Sequence, residues 1–353
     1  MAKQANTPPK SGIFRALMAS LFAAMIPGCA GYYEGPPSDH FDGEIFFNPD
    51  KPRSRGKFDF WKWQFTREKA KWPNAVPLPS HDRPPERVTD GSLRISFVGH
   101  VAILLQVDGV NILLDPIWSD RASPFSWIGP KRVTDPGVAF EDLPPVDLVL
   151  ISHNHYDHLD IPTIERLREA HDPEFIVPLG NDVIIHHEVP EARVRTLDWH
   201  QGLEAAGLKI TLGPMHHWSA RAMDDRNKAL WGAYVIETAK GPIYFVGDSG
   251  YGGGDYFRDA AERHGPFRLA ILPFGAYEPR WFMTYAHMNP DDAVRAHIDL
   301  GRPTTLGTHW GTFQLTDEAR LEPVSNLEAA RKEHAVPDEK FRALAPGEVW
   351  MIE

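Results

Sequence analysis

The sequence is poor in cysteine, and this scarcity limits the chemistry that the chain can perform. Cys29 is the single cysteine among 353 residues. A disulfide within the chain is therefore impossible, and a redox or cysteine-nucleophile mechanism has no residue to use.

Positive charge is also in short supply. The chain has 37 lysines and arginines against 48 aspartates and glutamates, which gives a formal net charge of −11. Such a surface repels polyanions at long range, so we expect no nucleic-acid partner. The apolar fraction of 42% and the charged fraction of 24% are ordinary for a globular protein.

Long hydrophobic runs are scarce, and the one of interest lies near the N-terminus. Residues 16–26 are apolar but too short to span a bilayer comfortably, and three basic and no acidic residues precede them. Because Cys29 follows this stretch and a small residue, residues 1–28 resemble the signal segment of a bacterial lipoprotein. This predicts anchoring through Cys29 in the cell envelope, facing the periplasm. The alternatives are an uncleaved anchor, a soluble N-terminal helix or a membrane-associated cytoplasmic protein.

Residues 29–90 are predicted to form an extended, non-core N-terminal arm, because many of the 32 prolines lie before Asp90. Within the arm, residues 58–72 mix aromatic side chains with lysine and arginine, a composition typical of a membrane interface. The alternative is a helix whose tryptophans pack on the domain while its basic residues face water.

The remaining sequence predicts an α/β fold. Residues 93–107 and 110–114 are predicted to form two strands joined by the turn pair Asp108–Gly109, and residues 147–151 the next strand. Helices are predicted at residues 161–171 and 181–187, from Asn289 to about Leu300, and at residues 327–333. Strands mixed with helices in this order fit a layered α/β sandwich.

The most informative segment is His-Asn-His-Tyr-Asp-His-Leu at residues 153–159, directly after the apolar run 146–151. Imidazole nitrogen and carboxylate oxygen are ligand types that zinc and its neighbours accept. Alternate residues of an extended segment point the same way, so His153 and His155 can converge on one ion. The turn that follows can direct Asp157 and His158 toward a second ion.

Further candidate ligands stand at other strand-to-loop junctions, where α/β folds usually place their chemistry. Asp248 follows the predicted strand 242–246, His309 ends the strand that begins at Pro303, and His216–His217 follow the strand 208–212. A lone aspartate or histidine after a strand is more often a cap or a loop residue. Four such junctions in series favour a metal centre.

This series resembles the metallo-β-lactamase superfamily, whose HxHxDH motif matches residues 153–158. The resemblance implies a four-layer αββα sandwich, here residues 91–353, with two divalent ions, zinc by family, between the sheets. It implies these ligands: for one ion His153, His155 and His217, for the other Asp157, His158 and His309, with Asp248 bridging the two. Asp115 would orient a ligating histidine, and His217 is preferred over His216 because it directly precedes Trp218.

Other segments narrow the resemblance. Residues 115–117, 121–124, 129–132 and 143–145 precede the metal motif, and residues 214–218, 223–225, 275–283 and 309–313 follow it. They resemble the N-acyl phosphatidylethanolamine-hydrolysing phospholipase D family, and the run Gly-Ala-Tyr-Glu-Pro-Arg-Trp-Phe-Met at 275–283 is the most specific. The resemblance implies cleavage of a phospholipid into an N-acylethanolamine and phosphatidic acid. The membrane surface would be reached through a lipid anchor or through residues 58–72, and a homodimer is compatible with it.

Asp157 and His287 are the candidate catalytic residues. His287 lies just before a predicted helix and could hydrogen-bond the phosphate or protonate the leaving alkoxide, whereas the alternative is an ordinary loop histidine. Opposite charges two residues apart around a proline predict a supporting ion pair between Glu278 and Arg280. The candidate substrate contacts are Tyr156, Trp218, Trp281 and Phe313, although core packing would require similar side chains.

Two other functions stay open on the sequence. The same two-ion site would also serve a lactonase or another phosphodiesterase, and a retained metal could instead hold the fold of an envelope scaffold protein. Nitrogen and oxygen ligands without thiolate admit zinc, iron or manganese, and zinc is the metal that the resemblance implies.

Overall fold

The structure, a computed structural model, describes residues 32–50 and 57–353. The predicted signal segment and Cys29 lie outside these residues. In the described part of the chain, no helix is both long enough and apolar enough to cross a membrane.

One of the two sheets is built mainly from the first half of the chain. Its strands are β1 (Leu93–Gly99), β2 (Ala102–Val107), β3 (Val110–Leu114), β4 (Leu148–Leu150), β5 (Glu174–Pro178), β6 (Arg193–Leu197) and, from the C-terminus, β14 (Val349–Ile352). Their order is β14-β1-β2-β3-β4-β5-β6. The pairs from β3 to β6 are parallel, and those from β14 to β3 are antiparallel.

The second sheet repeats this mixed plan. Its strands are β7 (Gly202–Ala205), β8 (Leu208–Gly213), β9 (Ala233–Ile236), β10 (Ile243–Phe245), β11 (Leu269–Pro273), β12 (Thr304–Thr308) and β13 (Phe341–Ala343). Their order is β13-β12-β11-β10-β9-β8-β7, with β10 to β13 parallel. Parallel pairing brings the carboxyl ends of neighbouring strands to one edge of each sheet, and the loops there can meet.

The helices of the described residues are α1 (Lys57–Thr66), α2 (Ile161–His171), α3 (Asn181–Glu188), α4 (Asp255–His264), α5 (Arg280–Met283), α6 (Pro290–Asp299) and α7 (Glu322–Glu333). The predicted bounds of α2 agree with the structure. Helix α6 begins where its signals predict: the Asn289 side chain accepts a hydrogen bond from the Asp292 backbone, Asp292 returns one, and Pro290 occupies the first turn.

Strands β1 to β4 of the first sheet bury both of their faces, whereas β14 and β6 at its two edges are partly exposed. On β2, Ile103 and Leu105 belong to the main core, which the second sheet shares, whereas Leu104 belongs to a second core with Ile164 and Leu167 of α2. Helices α4, α6 and α7 contribute to the main core from the other side of the second sheet. The result is the predicted sandwich of two mixed sheets flanked by helices. Burial on both faces explains why β2, β3 and β4 are apolar at nearly every position.

The structure corrects two expectations. The segment 93–107 forms two strands rather than one, because Gly99 (φ 134°) and His100 (φ 62°) turn the chain between β1 and β2. The described part of the arm is not outside the core: Phe41 and Phe46 are each 1% exposed and pack with the main core. The prediction failed there because proline content reports an irregular backbone, which can still pack its side chains.

Helix bounds also differ in places. Helix α7 begins at Glu322, whereas the prediction started it at residue 327; Pro323 lies in its first turn, a position that proline favours. The sequence analysis did not predict α4 or α5, and α5 has only four residues. The predicted domain boundary between residues 90 and 91 stays a prediction.

Candidate metal centre

The candidate ligands lie in loops that leave the carboxyl ends of strands. The loop after β4 carries His153 to His158, and the loops after β8, β10 and β12 carry His217, Asp248 and His309. Asp115, which supports a ligand, follows β3. Because these strands end at the same edge of the two packed sheets, the loops converge at that edge of the sandwich. The sequence-predicted ligands therefore come together from four parts of the chain.

One set of ligand atoms, the three-histidine group, consists of His153, His155, His217 and Asp248, whose ligand atoms all lie within 4.8 Å of one another. His155 Nδ1 lies 2.8 Å from His153 Nε2 and 3.2 Å from His217 Nε2. His217 Nε2 is 3.8 Å from Asp248 Oδ2. These residues are the ones expected for one ion, with Asp248 on its edge.

The second set, the Asp157 group, consists of His100, Asp157, His158 and His309, within the same 4.8 Å limit. His309 Nε2 lies 3.2 Å from Asp157 Oδ2 and 3.1 Å from Asp248 Oδ1. His158 Nε2 lies 3.2 Å from Asp248 Oδ2. Asp248 thus contacts residues of both groups, which is the position expected of a bridging carboxylate.

The donor sets fit divalent metal ions. Neighbouring ligand atoms around a tetrahedral ion with bonds of about 2.1 Å lie roughly 3.4 Å apart. The contacts given above between nitrogen and oxygen atoms span 2.8 to 3.8 Å. His158 Nε2 is buried and makes no hydrogen bond among the described residues, and an unpaired buried polar atom is costly. A bound cation would satisfy it.

Hydrogen bonds from behind hold the ligand side chains in place. Asp115 Oδ2 lies 2.6 Å from His158 Nδ1, and Ser152 donates to both Asp115 oxygens, at 2.7 Å from its backbone and 2.6 Å from its hydroxyl. His217 Nδ1 donates to the backbone oxygen of Ala286 at 3.0 Å. In both histidines the contact occupies Nδ1 and turns Nε2 toward the centre. Asp115 therefore contacts His158 on the side away from the candidate ligand atoms.

Burial keeps the three histidines of the three-histidine group neutral. It holds the pKa of His153 and of His217 well below the ordinary value, and it lowers the pKa of His155 to about 3. Neutral imidazoles offer lone pairs to a cation at pH 7. The electrostatics of this group suit metal binding.

The Asp157 group carries charge instead. Burial favours the neutral forms, but the charges and hydrogen bonds between partners outweigh it. Contacts with His158, His100 and His309 hold the pKa of Asp157 well below its ordinary value, and Asp248 and Asp157 raise the pKa of His309 to about 9. The carboxylates are therefore ionised and available as anionic ligands.

His287 lies at the rim of the centre. Its Nδ1 is 3.8 Å from Asp248 Oδ2, and its ring centroid is 5.3 Å from that of His217. Burial lowers the pKa of His287 to about 4. Arg280 Nη1 donates to its backbone oxygen at 3.0 Å, so the 275–283 segment fixes its position.

The predicted pair between Glu278 and Arg280 does not form through the guanidinium. Arg280 Nη2 instead contacts Asp292 Oδ2 at 2.6 Å, and the Glu278 carboxylate accepts a hydrogen bond from the Arg280 backbone at 3.0 Å. Asp292 lies in the first turn of α6, and the loop between α5 and α6 brings this turn within reach of the Arg280 guanidinium. The pair therefore joins α5 to α6.

The four candidate substrate contacts differ in placement. Trp218 packs against His155 with ring centroids 4.3 Å apart, and the Tyr156 hydroxyl donates to the backbone oxygen of Arg221 at 2.8 Å. Trp281 is 39% exposed on α5. Phe313 is 3% exposed and packs behind His100, with centroids 5.3 Å apart, so it supports the site rather than lining an open groove.

The sequence analysis missed His100. Its Nε2 lies 2.9 Å from Asp157 Oδ2, and its ring centroid is 4.2 Å from that of His309. The signal was the pair Gly99–His100 inside an otherwise apolar segment, which marks a break between two strands. Treating residues 93–107 as one strand concealed it.

His216 turns away from the centre. Its Nε2 contacts Asp50 Oδ2 at 2.8 Å, and its ring stacks on Tyr256 with centroids 4.3 Å apart. This agrees with the choice of His217 as the ligand. The contact also ties the N-terminal arm to the loop that carries His217.

Comparison with known proteins is consistent with this geometry. Residues 110–310 match the β-lactamase superfamily domain. An uncharacterised protein of Mycobacterium tuberculosis is 39% identical over 283 residues, which are 78% of this chain and 75% of that protein. N-acyl-phosphatidylethanolamine-hydrolyzing phospholipase D 1 of Caenorhabditis elegans is 36% identical over 273 residues, 74% of this chain and 76% of that protein.

A solved structure supports the fold. The metallo-β-lactamase fold protein YhfI from Bacillus subtilis superposes with a TM-score of 0.51 at 18% identity, over 74% of this chain and 100% of that chain. At this identity the likeness concerns the fold alone. Together with the sequence matches, it shows that this chain belongs to the β-lactamase superfamily of metallo-hydrolases, as a homologue of the N-acyl-phosphatidylethanolamine-hydrolysing phospholipases D.

Proposed function

We propose that this protein is a metal-dependent phosphodiesterase that hydrolyses N-acyl phosphatidylethanolamine to an N-acylethanolamine and phosphatidic acid. The observation that carries the proposal is the pair of ligand groups joined by Asp248. The choice of lipid rests on the 36% identity to a protein that bears this activity in its name.

The ligand arrangement suits a phosphodiester. The three-histidine group would hold one ion, and Asp157, His158 and His309 of the Asp157 group would hold the other, with His100 as a support for Asp157. We propose zinc for both ions. Two such ions, when bound, activate water and offset negative charge on the entering and leaving oxygens of a phosphoryl group. Asp115 and the Ala286 carbonyl keep His158 and His217 aimed at the centre.

His287, at the rim of the candidate metal centre, would assist the hydrolysis. Its lowered pKa, about 4, leaves it neutral at pH 7, so it can donate one hydrogen bond to a phosphoryl or leaving oxygen. In the reaction the oxygen of water bonds to phosphorus and the bond from phosphorus to the ethanolamine oxygen breaks. The attacking water gives up a proton and the leaving oxygen takes one up, so that the products are N-acylethanolamine and phosphatidic acid, which keeps the phosphate.

The test combines metal analysis with lipid turnover in the wild type and in His155→Ala. Loss of one imidazole from the three-histidine group should reduce metal content and remove nearly all turnover, a fall of about 100-fold or more. The matched control is His187→Ala, since His187 is an exposed histidine on α3. Mass spectrometry should identify N-acylethanolamine and phosphatidic acid as the products.

Substrate panels separate the alternatives. A wild-type protein that turns over lactones or nitrophenyl phosphodiesters but not the lipid would contradict the lipid assignment while leaving the metal centre in place. Unchanged lipid turnover in His155→Ala would contradict the metal centre itself. The scaffold function would be favoured if the metal-loaded protein hydrolysed no member of the panel and unfolded when the metal was chelated.

A further inference from the structure

Helix α1 presents large aromatic side chains to solvent. Phe58 is 81% exposed, Trp61 56% and Phe65 84%. Their spacing of three and four residues places them on one face of the helix, and the rings of Trp61 and Phe65 stack with centroids 6.0 Å apart. Apolar surface of this size is costly in water and marks an interaction site. We call these three residues the α1 aromatic face.

Packing on the domain does not explain that face. Trp63, on another side of α1, is 6% exposed, stacks on Phe282 with centroids 5.1 Å apart and donates to Asp317 Oδ2 at 2.8 Å. Arg67 pairs with the same aspartate at 2.7 Å. One tryptophan and one ion pair thus attach the helix, and the α1 aromatic face remains outside.

Helix α1 contacts α5, the short helix that positions the rim histidine His287. Phe282 belongs to α5, and Arg280 of the same short helix holds the backbone of His287. Trp281, also of α5, is 39% exposed and lies under Lys62, whose Nζ is 4.8 Å from its ring centroid. The aromatic surface therefore continues from α1 onto the element that positions the rim histidine.

The surrounding sequence has the opposite charge to the rest of the chain. Residues 51–71 contain eight basic residues and two acidic ones, a net of +6, in a chain whose net charge is −11. Basic residues near an aromatic face are attracted to the negative surface of a membrane that contains anionic lipids. A polyanion in solution would be repelled by the remainder of the molecule.

We propose that the α1 aromatic face, with Lys62, docks on an anionic phospholipid bilayer and brings the metal centre to the lipid–water interface. The preference for a lipid surface over a protein partner rests on the proposed function. Aromatic rings enter the interfacial layer and lysine stays at the head groups. The substrate would then reach the centre from the bilayer to which the protein is bound.

The single cysteine permits a site-specific test. In the full chain carrying Cys29→Ser, Phe65→Cys receives an environment-sensitive fluorophore, and Met351→Cys is the control, since Met351 is 48% exposed on the edge strand β14. Vesicles of phosphatidylcholine with phosphatidylglycerol should shift emission at position 65 to the blue, and brominated lipid should quench it. Position 351 should show neither change. An unaltered spectrum at position 65 overturns the proposal.

A turnover measurement separates docking from catalysis. The double variant Phe58→Ser, Phe65→Ser should turn over vesicle-embedded N-acyl phosphatidylethanolamine about tenfold or more slowly, with unchanged turnover of a soluble nitrophenyl phosphodiester. The variant Val349→Ser, Met351→Ser, which removes two exposed apolar side chains from β14, should match the wild type in both. Equal lipid turnover in both double variants would refute the docking role. If the wild type hydrolyses no such lipid but position 65 enters the bilayer, the docking stands and the proposed function fails.

Discussion

At the residue scale, His100 shows how one hydrogen bond can position a ligand. Its Nε2 lies 2.9 Å from Asp157 Oδ2, and the same oxygen lies 3.2 Å from His309 Nε2. Burial lowers the pKa of His100 to about 4, so the ring is neutral and carries one proton. The contact with a carboxylate favours the tautomer protonated at Nε2. His100 is therefore a positioning residue for Asp157.

We predict that His100→Leu lowers kcat by about 10–100-fold, because Asp157 loses its donor, while KM changes little. His100→Gln, which retains an N–H donor, should keep more of the activity. Steady-state kinetics and metal content of both variants check this. A leucine variant with the kcat of the wild type would show that Asp157 needs no such support.

At the element scale, the segment 32–50 behaves as a brace rather than as a free arm. Asn48 donates to the backbone oxygen of Met215 at 2.8 Å, and Asp50 contacts His216 at 2.8 Å. Both contacts reach the loop that carries His217. Earlier in the segment, His40 lies between Asp39 and Asp198, with its ring nitrogens 2.6 and 2.7 Å from their carboxylate oxygens.

These carboxylates make the docking of the segment depend on pH. Burial opposes protonation of His40, but hydrogen bonds to Asp198 and Asp39 raise its pKa above the ordinary 6.5. Because the pKa of His40 is higher in the folded protein than in the unfolded chain, protonated His40 stabilises the fold. This stabilisation is fully present below pH 6.5 and is lost as the pH rises through the raised pKa. The hydrogen bond with His40 lowers the pKa of Asp39, so its own contribution is lost only as the pH falls through that lowered value.

We predict that His40→Gln lowers the free energy of unfolding most at pH values just below 6.5 and progressively less at alkaline pH. Denaturant unfolding across this range measures the difference. His187→Gln, on the exposed surface of α3, serves as the control. A difference between wild type and His40→Gln that stays constant with pH would mean that the imidazole is not charged in the fold.

At the scale of the whole molecule, the candidate metal centre joins the two sheets. Asp115 and His158 come from loops of the first sheet, and Asp248 and His309 from loops of the second. The side chains of Asp115 and His158 are fully buried, and that of Asp248 is 1% exposed. Bound cations would offset this buried negative charge and link the loops of both sheets.

We predict that removing metal with a chelator lowers the thermal unfolding temperature, because an ion that binds only the folded state stabilises it by mass action. Adding zinc back should restore the original temperature. Scanning calorimetry with and without chelator measures the shift, and the His155→Ala variant should respond less. An unchanged transition after verified metal removal would show that the ions contribute to catalysis alone.

The clustering of the candidate ligands was predictable because their signals are local. Asp248 and His309 each follow a short apolar strand, and His153 to His158 follow another, so strand ends alone suggested that they meet. His100 was not predictable in this way, since its role depends on a turn inside an apolar segment. The partner of Arg280 was predicted wrongly as Glu278, because Asp292 lies twelve residues away and only the path of the chain brings them together.

The sequence by itself determined the layered α/β plan and the candidate ligands, because apolar periodicity and residue type act over a few neighbouring positions; its single cysteine also excludes a disulfide within the chain. The tertiary structure decided which side chains of α1 are buried, that Phe41 and Phe46 enter the core, and that His100 reaches Asp157. Those outcomes depend on contacts between residues far apart in the chain, and burial is a property of the packed molecule rather than of any segment.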